Sequence, residues 1–130
     1  MTGISGKLFF ALLLTAVSAA GTFALLMLLG PDWSRFAAAT CTETRCFCEM
    51  PRTGATLLQP ANSLSSFGFV FVGFLMMLLA WSRGWMSALS PLAASTLGVA
   101  AIITGIGSGL LHATLTLWGQ FFDVLGMYLV

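Results

Sequence analysis

Apolar residues in this chain fall into four long runs, and the breaks between them are sharply marked. Residues 7–29 carry no charge after Lys7 and stop at Gly30-Pro31, a pair that ends helices. At about 1.5 Å per residue this run spans roughly 34 Å, enough for the hydrocarbon core of a bilayer. Residues 30–59 are the one polar stretch. Gln59-Pro60 then opens a second apolar run that continues to Trp81, with proline at the first helical position, where its missing N–H costs nothing. That run closes on Trp81-Ser82-Arg83-Gly84-Trp85, whose indoles and arginine suit an interfacial turn. Ser90-Pro91 starts a third run by the same logic, serine as N-cap and proline at N1, extending to about His112. Its second half, Gly105-Ile106-Gly107-Ser108-Gly109, has little side-chain bulk and lets a neighbouring helix approach closely. A short link, 113–119, leads to a fourth run, 120–130.

The pattern predicts an all-α, polytopic transmembrane helical bundle, divided into a tail (1–6), an extra N-terminal span (7–29), a polar loop (30–59) and a helical core (60–130). Composition agrees. Of the 130 residues 58% are hydrophobic and 7% charged, against about 25% charged in soluble domains. No formal charge lies between Arg52 and Arg83, nor between Arg83 and Asp123, and no water-facing surface can be built from such stretches. The expected localisation is therefore an integral, multi-pass membrane protein. The net charge of +1 says nothing about nucleic acid, and with no basic patch or run of like charge no nucleic-acid partner is expected. A cleaved signal peptide competes for the first run, with Lys7 as n-region and Val17-Ser18-Ala19 as cleavage site. The apolar run continues well past that site, which favours a retained span. The fourth run is too short to cross. A terminus at that depth would bury a carboxylate and unpaired carbonyls at several kcal/mol each, so the chain is expected to be the front part of a longer protein.

Six of the nine charges sit in the polar loop, together with all three cysteines, Cys41, Cys46 and Cys48. Their spacing lacks the paired CxxC of a zinc knuckle, and both one disulfide and free thiols remain open. Counting Lys and Arg puts the loop on the cytoplasmic side. Lys7 ahead of the first span, the loop's three acids and its cysteines favour the exoplasmic side.

Chemistry concentrates at His112 and Asp123, ionisable groups in apolar runs, where such groups are costly and kept for a reason. Ser108 lies four residues before His112, one helical turn away and on the same face. Asp123 follows across a tight link, which would put it about level with His112 on the adjacent helix. Three readings compete. In the plainest, Ser108 bonds the carbonyl four residues back, His112 is a satisfied interfacial histidine and Asp123 pairs with a neighbouring helix. A Ser-His-Asp acyl-transfer triad fits poorly, because Ser and His share a helix without a nucleophile elbow. A metal site suits a neutral imidazole with a nearby carboxylate, yet catalytic zinc takes three protein ligands and the chain has one histidine.

Ser108-x-x-x-His112 with downstream Gln120 and Asp123 resembles the S-x-x-x-H and aspartate pattern of alkaline ceramidases. These belong to a superfamily of seven-span membrane hydrolases that includes the adiponectin and progestin receptors. Cys48-Glu49 and Gln59-Pro60-Ala61-Asn62-Ser63-Leu64-Ser65-Ser66 resemble the elements that open that family's first core helix, so the likeness covers residues 46–130. The resemblance implies a zinc-dependent amidase that cleaves the N-acyl bond of ceramide or a related lipid amide within the bilayer. His112 would be the first of three histidine ligands to Zn2+, Asp123 would hold and help deprotonate the attacking water, and Ser108 would steady the oxyanion. The family's other two histidines, an H-x-x-x-H pair on its last helix, have no counterpart in these 130 residues, so the isolated chain is expected to be inactive. For the family's Ca2+ site only Glu49 remains as a candidate ligand. Cys46 and Gln59 stand where acidic residues are expected, so the resemblance carries zinc further than calcium. The expected partners are a lipid amide substrate and membrane lipids, with no protein partner. A non-catalytic, receptor-like or structural membrane protein of the same architecture is the alternative.

Overall fold

A computed structural model describes residues 3–30, 32–40, 42, 47–82 and 88–129. Expectations for Cys41, Cys46 and the Arg83-Gly84-Trp85 turn fall outside the described residues. The protein is all-helical: α1 (Ile4–Leu29), α2 (Pro60–Ser65), α3 (Phe67–Ala80), α4 (Pro91–Thr114) and α5 (Leu117–Tyr128), with a 3-10 turn at Trp33–Arg35. Among the described residues three segments are long and apolar enough to cross a membrane: α1, the nearly continuous α2–α3 pair (Pro60–Ala80) and α4. Large apolar side chains such as Phe9, Val17, Leu28, Phe69 and Phe121 are exposed along the bundle, a surface that only lipid or another apolar partner covers. This is a membrane protein.

Helix ends lie close to where the sequence puts them, with instructive differences. Ser90 caps α4, its hydroxyl accepting from the Ala93 amide at 3.2 Å, with Pro91 in the first turn. Gly30 ends α1 at φ 86, a left-handed conformation open to glycine. The first helix starts at Ile4 rather than Lys7, because lysine is a good helix former and does not itself break the pattern. The expected link 113–119 shrinks to Leu115-Thr116. Leu115 takes a left-handed conformation (φ 50), which reverses the chain in one step, and Thr116 immediately caps α5 through the Gly119 amide. The fourth run therefore gains a turn at its start. Its 12 residues span roughly 18 Å, so it remains the short element of the bundle.

The centre of the fold is α4, packed against α3 on one side and α5 on the other. Glycines set both contacts. A Cβ on Gly73 of α3 would lie 2.5 Å from the Gly98 carbonyl oxygen, and one on Gly105 would lie 2.7 Å from Val70. On the other face a Cβ on Gly107 would run into the Phe122 main chain, and one on Gly126 would lie 2.5 Å from the Thr104 Cα. Backbones touch where side chains would normally hold them apart, as in helix pairs built by van der Waals contact in lipid. The outer helix α1 lies mainly against α3, antiparallel to it, with Lys7 Nζ bonded to Ser82 Oγ.

Candidate functional site

The last carbonyls of a helix have no partner within it. At the end of α4 the polar loop supplies them. Gln59 N–H donates to the His112 carbonyl (3.0 Å), Leu58 N–H to that of Ala113 (2.8 Å) and Ala39 N–H to that of Leu115 (2.9 Å). A single antiparallel bridge, Ala38 with Thr116, continues the docking. Trp33, Phe36 and Trp118 pack together above it, with ring centroids 6.1–6.5 Å apart. Gln120, which belongs to the aspartate motif in the sequence, accepts from the Thr40 amide at 2.8 Å and donates to its hydroxyl at 2.8 Å. The loop is a folded cover on the α4–α5 corner.

Beneath that cover sits His112, half-buried. Its Nδ1 is 2.7 Å from Gln59 Oε1, and the ring meets the edge of Phe47 at 4.6 Å between centroids. Gln59 is 1% exposed and its Nε2 donates to the Glu49 carbonyl at 2.6 Å. The Glu49 carboxylate in turn accepts the Ala61 amide at 2.9 Å and the Asn62 amide at 2.7 Å, closing the start of α2. Partial desolvation pushes the Glu49 carboxyl up. The Asn62 and Ala61 amides, with the Arg52 charge, outweigh it and hold Glu49 below the usual carboxylate value.

Ser108 lies one turn below His112 on α4 but faces α3. Its Oγ is 3.2 Å from Ser66 Oγ, which is itself 2.8 Å from the Asn62 carbonyl. The expected bond to the carbonyl four residues back is absent; Thr104 and Thr114 make that bond instead, to Ala100 and Leu110. Asp123 is half-buried on α5. Its backbone packs at Gly107, more than one turn deeper along α4 than His112, so the two are not level. Because α4 and α5 are antiparallel and side chains lean toward the N-terminus of their own helix, the two groups tilt toward each other. The structure gathers Ser108, His112 and Asp123 at one end of the bundle, yet no hydrogen bond or ion pair joins any two of them. A Ser-His-Asp triad in bonded register is not formed.

Sequence reasoning missed the part played by Gln59. Its signal was positional: a glutamine directly before the proline that opens a helix sits where its side chain can turn back onto the loop. A second unforeseen feature is Ser63. Its hydroxyl is buried without a hydrogen-bond partner and borders a narrow cleft of about 40 Å³ between α1, α2 and α4, lined also by Thr22, Leu26, Phe67 and Gly109.

No group of three or more His, Cys, Asp or Glu side chains that could hold a metal exists among the described residues. His112 fits as one zinc ligand, but the three ligands of a catalytic zinc are not assembled from the described residues. The Glu49 carboxylate is engaged by two backbone amides, and calcium takes six or more oxygens, which the described surroundings of Glu49 do not provide. Compared with known protein families, curated proteins and solved structures, the chain matches none.

Proposed function

We propose that this chain forms part of a multi-pass membrane amidase of the ceramidase type, hydrolysing the N-acyl bond of a lipid amide such as ceramide to a fatty acid and a long-chain base. The observation that carries the reading is His112 itself: an imidazole at the end of a membrane-crossing helix, held through Nδ1 by a buried glutamine, with Asp123 on the antiparallel neighbour α5. That second-sphere support is typical of histidines that ligate metals. In this reading His112 would supply one ligand to a zinc that would polarise the amide carbonyl, and the other ligands would have to come from outside the described residues. Asp123 would take a proton from the attacking water. Ser108 steadies the oxygen of the polarised amide, for which it would exchange its bond to Ser66. A site among apolar helices suits a lipid that reaches it laterally from the bilayer.

Replacing His112 with alanine in the full protein should remove bound zinc and turnover together. Amidase activity retained in that variant overturns the proposal. The competing reading is a non-catalytic, receptor-like protein, favoured by the bond that engages Ser108 with Ser66 and by the lack of a bond between His112 and Asp123. Asp123→Asn separates the two. It keeps volume and hydrogen bonding, so a packing role leaves stability and ligand binding unchanged, while loss of a general base lowers turnover about 10²-fold or more.

A further inference from the structure

Gln59 and His112 are joined twice, main chain to main chain and side chain to side chain, and the side-chain bond admits only one arrangement of protons. The Glu49 carbonyl can only accept, so the Gln59 atom 2.6 Å from it is the amide nitrogen. Gln59 Oε1 therefore faces His112, and an amide oxygen likewise only accepts. The proton between them belongs to His112 Nδ1. A neutral imidazole has one ring proton, so Nε2 carries the lone pair. Phe47, edge-on to the ring at 4.6 Å, restricts its rotation. The anchor of the chain is the start of α2, where the Glu49 carboxylate takes two amides while the Glu49 carbonyl takes Gln59.

We propose that Gln59 is a positioning residue that locks His112 in the Nδ1–H tautomer and presents Nε2 as its ligating nitrogen. The ligating role rests on the function proposed above; the tautomer does not. The loop residue Glu49 thereby sets the state of a side chain inside the helical bundle, through one glutamine.

These 130 residues contain a single histidine, and in the full protein its signals are assigned by their loss in His112→Ala. The full protein, labelled with 15N-histidine in detergent micelles at a pH well above the ordinary imidazole pKa of about 6.5, should show a protonated Nδ1 and an unprotonated Nε2. Gln59→Met keeps length and removes the acceptor, and should abolish the Nδ1–H preference. Gln59→Glu restores an acceptor oxygen and should keep Nδ1 protonated. A protonated Nε2 and bare Nδ1 in the unaltered protein overturns the inference without any variant. An unchanged pattern in Gln59→Met overturns it as well, because some other group would then hold the ring. The Nδ1–H tautomer together with absence of zinc and amidase activity leaves the positioning in place and sinks the enzymatic reading alone.

Discussion

The helices α1 and α4 are of similar length and both apolar enough to cross a bilayer, yet they stand at opposite extremes of the bundle. α1 buries only Ala11 and Leu26 of its 26 residues; α4 buries ten of its 24. The more hydrophobic of the two is α1. Inside lipid, apolar side chains gain nothing by moving from acyl chains to protein, so hydrophobicity alone leaves a helix at the periphery. α4 reaches the centre because glycines bring its backbone against both neighbours, and because serine, threonine and histidine find polar partners there. In this molecule the less hydrophobic helix is the structural and chemical one.

The sharpest way to break that comparison is to make one substitution in both helices. Gly107→Ala drives a methyl group into the α5 main chain, and should cost about 1–3 kcal/mol by overpacking. Gly21 of α1 has nothing within 4 Å of a built Cβ, so Gly21→Ala should be neutral or stabilise by about 0.5–1 kcal/mol through helix propensity. Reversible unfolding in micelles reads both. The same sign for the two variants would show that glycine packing does not distinguish α1 from α4.

The loop cover offers a second lever. Glu49 is held below the usual carboxylate value, so its contribution is complete above the unfolded-state pKa and fades as pH falls through the lower, folded-state one. Closure of the loop over His112 should therefore loosen on the acid side, while α1, which has no acidic residue, should not respond. Glu49→Gln should flatten that acid limb in hydrogen exchange of the Ala61 and Asn62 amides. A limb as steep as before would assign the acid sensitivity to another group. The smallest effect belongs to α1. Lys7→Met removes its bond to Ser82 and should cost no more than about 1 kcal/mol, and a larger loss would mean that α1 is tied in more firmly than its burial indicates.

Much of this was legible beforehand. Pro60, Ser90-Pro91 and Gly30 mark helix ends by local chemistry, since proline lacks an N–H, serine accepts one and glycine takes a positive φ. The close approach at Gly105 to Gly109 was legible for a similar reason: an absent side chain needs no tertiary detail to declare room. The reversal at Leu115 was not. Leucine is rarely left-handed, and the turn is held by the loop backbone that bonds Leu115 and Leu117 and by the cap that Thr116 gives α5.

The candidate site divides along the same line. Sequence by itself determined that this is a helical membrane protein, and that His112 and Asp123 are exceptional, because the cost of an ionisable group in an apolar run is a property of the residue and its run. Only the tertiary structure decided what these groups touch. It turned Ser108 toward Ser66, set Asp123 deeper than His112, and brought Gln59, itself held by Glu49, onto the imidazole. The Ser66–Ser108 and Gln59–His112 contacts join residues 42 and 53 positions apart, and such pairings follow from how helices and loop pack in three dimensions rather than from any spacing along the chain.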